Sequence, residues 1–522
     1  MDFNVIGLFA RSVSLELVNE ECYESKIPYA VELDGCQVAE NNTSNVFSIY
    51  DLNPDTGYEV TVKAGGTSVS HTVRTRKESF RLNVKDFGAV GDGVALDTAA
   101  IQATILCCPK DGTVLVPPGT YYTGPLFLKS DMTLELSEGA TLLGSTDRSV
   151  YPVLPGVTPS EDEKDEYYLG SWEGNPLSSY ASLLTGVRVS NVDIVGRGVI
   201  DANANHGDWW ENPKQKHGAW RPRMLFLNFC TNIRVQGVTL KNSYAWTVHP
   251  YYSKQISFQD IRIFNDPDSP NTDGIDVEAC SDVSMLGVVI SVGDDCVALK
   301  SSKIYLGRRL KTPTCGIELR NCLLERGHGA VVIGSETSAG VRDVKASRCI
   351  FTGTDRGMRI KTRRGRGELS VVDNIRLDNI RMDQVISPFV INMFYFCDPD
   401  GHSEYVRSKK SIPADEFTPR VGRLSCSNIV CERCSVAGMF FYGLPEMPIE
   451  DISFENVRIS FADDAQPGYP EMMDDIEPVK KLGLFARNVK KLSLKGVEIT
   501  EYEGEKYRVE DVAEFFQEEQ QE

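Results

Sequence analysis

Period-2 alternation of apolar and polar positions dominates the chain. One phrase recurs in the order apolar, x, apolar, x, small or polar, apolar, x, apolar. It stands as IRVQGVTL from Ile233, ISFQDIRI from Ile256, VSMLGVVI from Val283 and IELRNCLL from Ile317, then as IRLDNIRM from Ile375, ISFENVRI from Ile452 and LSLKGVEI from Leu492. The first intervals are 23, 27 and 34 residues. Side chains alternate between the two faces of a strand, so each copy presents one apolar face. No helical stretch between the copies is long enough for a βαβ crossover, and one short coil cannot bury its own apolar face. Stacked coils can, so the pattern predicts an all-β solenoid, a parallel β-helix. Propeller blades carry four strands in about 40 residues and fit less well.

The first 77 residues follow a different pattern. The runs VSLELV, YAVELDG, NVFSIYDL and YEVTVKAG alternate and are separated by turn residues, which predicts a small antiparallel sandwich. Leu52-Asn53-Pro54-Asp55-Thr56-Gly57-Tyr58 resembles the tyrosine corner of fibronectin type III domains, in which a Tyr hydroxyl ties a loop to the sheet. The expected organisation is a fibronectin type III-like β-sandwich over 1–77 and a β-helix over 78–522, joined at the charged Arg74–Ser79 stretch. A solenoid's first coil exposes apolar surface and unpaired backbone unless it is capped. Asp97–Leu106, with Ile101 and Ile105 at helical spacing and Asp97 as the N-cap, is the expected cap helix.

Composition narrows the partners. The 522 residues carry a net charge of −19, so there is no general basic field for nucleic acid. An acidic polysaccharide faces the same repulsion, and its site would need Arg and Lys gathered locally. No apolar run reaches the length of a membrane span, and the first 26 residues lack the basic and apolar regions of a signal peptide. With fourteen cysteines, that start leads us to expect reduced thiols and a cytoplasmic, bacterial protein. Cys431-x-x-Cys434 has no second ligand pair at metal-binding spacing and is expected to pack in the interior.

Two stretches carry a more specific resemblance. VKDFGAVGDGVALDTAAIQ, followed by GTVLVPPGTYYTGPLFLKS, resembles the opening segment of pectin-active β-helix enzymes. Asn271-Thr272-Asp273-Gly274, Gly293-Asp294-Asp295, Gly327-His328-Gly329 and Arg359-Ile360-Lys361 follow in order along the coils. Together they resemble glycoside hydrolase family 28, the polygalacturonases, from about Val84 to at least Asn456. Spacing alone brings Asp273 and Asp295 together, since 22 residues is about one coil and stacked strands lie about 4.8 Å apart. On a flat strand Asp294 and Asp295 would face opposite ways, and Gly293 permits the bend that lets both reach one cleft.

The resemblance implies a right-handed coil and hydrolysis of α-1,4-galacturonosidic bonds with inversion. Asp294 would be the general acid, Asp273 and Asp295 would hold and activate water, and His328 would tune the acid. Arg359 and Lys361, two apart on a strand, would grip a substrate carboxylate, with Arg363, Arg364 and Arg366 extending the patch. Tyr395 sits where the family places a substrate-contacting Tyr. Asn271 and His249, with Trp246, are further candidates for the sugar site. No metal or organic cofactor is expected. The expected partner is a galacturonate-containing polysaccharide or oligosaccharide; nucleic acid and membrane are not expected, and the sequence does not fix the oligomeric state. Alternatives are a rhamnogalacturonan-type hydrolase, which the intact Arg359-Ile360-Lys361 disfavours, a pectate lyase, which would need a calcium site, and a non-enzymatic binding solenoid. The long segments Tyr151–Tyr180 and Cys397–Arg420 interrupt the repeat near the catalytic coils and lead us to expect exo cleavage.

Overall fold

The computed structural model describes residues 2–518. From Arg81 to Glu518 the chain winds into a single 33-stranded sheet in which each strand pairs in parallel with the strand one coil later. The recurring phrase sets this register. Ile233 pairs with Ile256, Ile256 with Val283, Val283 with Ile317, and Ile317 with Val344. The ladder continues through Ile375, Leu424, Ile452 and Leu492. Inward residues of successive coils therefore stack into one buried core running from Val84 to Ile499. Truncating one of them, such as Ile256 to Ala, would cost about 2–5 kcal/mol. Cys431 and Cys434 lie fully inside this core, and all fourteen cysteines are free thiols.

The helix Thr98–Cys107 covers the first coil, with Ile101 and Ile105 buried beneath it. Asp97 precedes it, but its side chain makes no capping bond. Its carboxylate instead accepts the backbone N–H groups of Val90 and Gly91 at 2.7 and 2.9 Å, so it ties the preceding turn rather than the helix.

Strands between Asp2 and Arg74 form two antiparallel sheets of three and four strands over a separate apolar core. The Asn53 N–H donates to the Tyr58 hydroxyl at 2.8 Å, which is the loop-to-sheet tie expected of that motif. These sheets seat on the flank of the coil through Glu16, which is buried. It accepts from Arg320 at 2.6 and 2.8 Å, from Arg348 at 3.0 Å and from Asn321 at 2.7 Å. At the joint, Arg11 donates to Glu78 at 2.6 Å.

Candidate active site

The GDD turn lies between the strands Val289–Val292 and Asp295–Lys300. Gly293 is needed there for close approach: a Cβ would come within 2.5 Å of the Ser269 carbonyl and 2.7 Å of that of Asp266. The turn leaves Asp294 outside the strand and starts the next one at Asp295, so neighbouring carboxylates open to one side. Asp273 is brought in by the coil register, which pairs Ile275 with Val297 and joins the Gly274 N–H to the Asp295 carbonyl at 2.9 Å. His328 arrives one coil later, its N–H bonded to the Asp294 carbonyl at 3.0 Å. One carboxylate oxygen from each of Asp273, Asp294 and Asp295 lies within 4.8 Å of the others. All three line a cavity of about 280 Å³.

Surroundings distinguish the three. Burial pushes the Asp273 carboxyl well above the usual range, and Asp276 and Asp294 add to the shift. Burial pushes Asp294 upward too, but the hydrogen bond and charge of His328, with Lys361 and Lys300, hold it below the ordinary carboxylate range. His328 Nδ1 lies 3.4 Å from Asp294 Oδ1, and the same hydrogen bond raises the imidazole. Asp295 Oδ2 accepts from Lys361 Nζ at 2.7 Å. Asp273 Oδ1 and Asp295 Oδ1 are buried without a hydrogen-bond partner among the described residues. Asn271 lines the cavity with φ 57°, places Nδ2 at 3.5 Å from Asp294 Oδ2, and is itself held by Arg221 at 2.8 Å. The three carboxylates could together hold a hard cation through oxygen ligands, but the Lys361 ammonium and His328 already supply positive charge there.

The expected cationic patch is differently arranged. Lys361 and Tyr395 line the cavity, with the ammonium 5.5 Å from the ring centre. Arg359 does not. Its guanidinium makes a two-point pair with Glu471, Nε to Oε2 at 2.6 Å, and its remaining nitrogen stands 3.8 Å from Asp295 Oδ1, with both side chains buried. Arg363 pairs with Asp398 and Asp400, Arg364 with Glu446, and Arg366 with Asp398. These arginines hold the loops 397–420 and 444–447 against the coil instead of presenting free charge to a polyanion.

His249 is the other departure. It is fully buried between Phe226 and Tyr251, with Nε2 3.0 Å from Glu278, and burial lowers it to about 4. The segment after Tyr151 packs Leu154 and Tyr168 against Phe226 and Tyr251, and Trp246 stands edge-on to the imidazole at 5.0 Å. Trp246 does line the cavity.

Both long segments reach the site. Glu173 comes from the first, and Cys397 and Asp398 come from the second. Beside Glu173, Trp172 stacks on Trp220 at 4.8 Å, and Arg223 lies between Trp172 and Trp246 at 4.9 and 4.5 Å. Further contributors lie outside the sequence signatures: Lys214, Lys300, Ser335, Glu336 and, from the 469–472 segment, Met472.

Comparison with known proteins agrees with this geometry. The model for glycosyl hydrolases family 28 matches residues 130–411, more than half of the chain, and includes all four signatures. The chain belongs to that family. A second model, rhamnogalacturonase A/epimerase, pectate lyase-like, matches 81–148, the opening segment. Among relatives of this family 28 glycoside hydrolase, a probable polygalacturonase from Vitis vinifera is 32% identical over 76% of this chain and 77% of its own. The exo-poly-alpha-D-galacturonosidase of Dickeya chrysanthemi is 29% identical over 60% of this chain and 58% of its own. The family 28 exopolygalacturonase of Yersinia enterocolitica shares the fold, with a TM-score of 0.71, 20% identity and 98% of each chain covered. A hyperthermoactive exopolygalacturonase from Thermotoga maritima has a TM-score of 0.62 at 25% identity, covering 80% of this chain and 91% of that one.

Proposed function

We propose that this glycoside hydrolase cleaves α-1,4-galacturonosidic bonds of polygalacturonate and its oligomers from a chain end, with inversion. The observation that carries the reading is the trio lining the cavity, in which Asp273 Oδ1 and Asp295 Oδ1 accept no hydrogen bond among the described residues. A water placed there would be oriented by Asp273, which keeps its proton, and would lose a proton to Asp295 as it attacks the anomeric carbon. Asp294 protonates the leaving oxygen. It is ionised in the free protein, so the proton reaches it from His328 at 3.4 Å.

One general rule speaks against inversion. Inverting pairs usually stand about 6.5–9.5 Å apart to leave room for water, and retaining pairs about 5–5.5 Å. The oxygens here approach within 4.8 Å. That rule describes two carboxylates. With three, the water is held to the side by Asp273 and Asp295, so it need not fit between acid and base.

End-on cleavage is supported by the two long segments that reach the cavity through Glu173, Cys397 and Asp398, and by the cavity volume of about 280 Å³, at the small end for a ligand site. Exo-acting proteins also stand among the relatives. Time-resolved product profiles on polygalacturonate test it. Early release of only mono- or digalacturonate with slow loss of viscosity is expected, and an early ladder of mid-length oligomers would exclude exo action.

A further inference from the structure

Lys300 ends the strand that Asp295 begins, and its ammonium lines the cavity 4.2 Å above the Trp246 ring. In register it lies one residue beyond Leu299, which pairs with Ile333, which in turn pairs with Ile360. Lys300, Gly334 and Lys361 therefore form one outward column, with no side chain at the middle position. The two lysines stand two coils apart, about 9–10 Å between backbones. Trp246 flanks Lys300 two coils before it, and Tyr395 flanks Lys361 on the coil after it. The cavity thus carries two lysines, each beside an aromatic ring.

The two lysines differ in how they are held. Lys361 donates to Asp295 at 2.7 Å. Lys300 lies 3.4 Å from Asp276 and 3.3 Å from Glu336, contacts not aligned as hydrogen bonds. Both oxygens of Asp276 and the Oε2 of Glu336 are buried without a hydrogen-bond partner among the described residues. Burial pushes the Asp276 carboxyl up to about 8, so at neutral pH Glu336 is the anion that faces the lysine. Burial pushes the Glu336 carboxyl upward too, but Lys300 itself, with Lys303 and Arg366 adding to it, holds it well below the usual range, at about 2. A buried ammonium facing a cavity, beside three carboxyl oxygens that accept no hydrogen bond, is a site that a ligand carrying both an anion and hydroxyl donors would complete.

We propose that Lys300 reads the carboxylate of the galacturonate lying over Trp246, while Lys361 reads the one across the cleaved bond, and that Glu336 accepts a hydroxyl of the first sugar. This assignment rests on the galacturonan reading above and extends it to a pair of charge-reading positions.

The test compares trigalacturonate with its trimethyl ester, which keeps the ring and hydroxyls but removes the charges. Lys300→Met should raise KM for trigalacturonate at least tenfold and lower the acid-to-ester ratio of kcat/KM at least tenfold, and Lys300→Arg should recover much of the ratio. Equal loss on both substrates, with the ratio unchanged, would make Lys300 a packing residue and overturn the proposal. If the wild type cleaves neither substrate, the galacturonan reading itself fails. Calorimetric binding of trigalacturonate to the wild type and to Lys300→Met then still reads the site, and equal Kd values overturn it. Glu336→Gln provides a variant that keeps shape and the lysine: a higher KM on both acid and ester is expected, and an unchanged KM on both removes Glu336 from the site.

Discussion

Replacing Arg359 by Met separates two accounts of the same signature. In the family pattern Arg359 and Lys361 grip the substrate together. In the structure Arg359 is given to Glu471, 112 residues away, in a buried two-point pair. Burial pushes the Glu471 carboxyl upward, but Arg359 outweighs it and holds the group down at about 2. Removing Arg359 strands that carboxylate in the interior, and breaking a buried pair from one side costs about 3–5 kcal/mol. Removing both charges leaves nothing stranded, so Arg359→Met/Glu471→Met should regain most of the loss. Thermal and urea melts read the stability, and initial rates on trigalacturonate read KM. The expected result is a clear fall in Tm for Arg359→Met, recovery in the double variant, and a KM change below about threefold, less than 1 kcal/mol of binding. A KM rise of tenfold or more with an unchanged Tm would refute the reasoning and return Arg359 to the substrate.

Other outcomes follow from the same contacts. Asp294→Asn should lower kcat by about 10²–10⁴-fold with little change in substrate binding, and a variant keeping a tenth of normal turnover would remove Asp294 as the acid. Because Asp294 raises the His328 imidazole, the alkaline limb of kcat/KM should lie above the ordinary histidine range. His328→Gln should lower the rate and abolish that limb, and an unmoved limb would assign it to another group. His249 has its folded value lowered to about 4, so the folded state binds fewer protons than the unfolded one between about pH 6.5 and 4. Stability should fall as pH drops through that window, by about 3 kcal/mol in all from this residue, and urea melts of His249→Gln should show a weaker pH dependence than those of the wild type.

The coil was legible because its inward positions repeat one phrase, and each of the seven copies named from sequence begins on the same inward column. Two further copies, from Val344 and Leu424, were overlooked. The third positions there are Ala346 and Cys426, small residues that blur the apolar contrast. In the leading sheets, Cys36–Ser44 was missed because it is solvated along most of its length and so shows no alternation. Three carboxylates and His328 were legible as a set, since coil stacking converts sequence spacing directly into proximity. The Glu471 partner of Arg359 and the burial of His249 escaped the sequence for a common reason. Both Arg359 and His249 point outward from the coil, and whether an outward residue meets solvent or protein depends on the insertions, whose paths carry no periodicity. Glu471, Leu154 and Tyr168 come from such segments. Lys300 escaped notice because it lies five residues beyond the GDD turn, in a strand that otherwise reads as buried.

The stereochemistry of the first product tests the account most directly, because the tight spacing of the trio and the proposed sideways water stand or fall with it. Proton NMR of trigalacturonate during the first few turnovers resolves the anomeric signals of the new reducing end before mutarotation mixes them. β-Anomer should appear first, from an α-linked substrate, with no unsaturated sugar. Alpha-anomer appearing first would mean a covalent intermediate on one of the three aspartates and would contradict inversion.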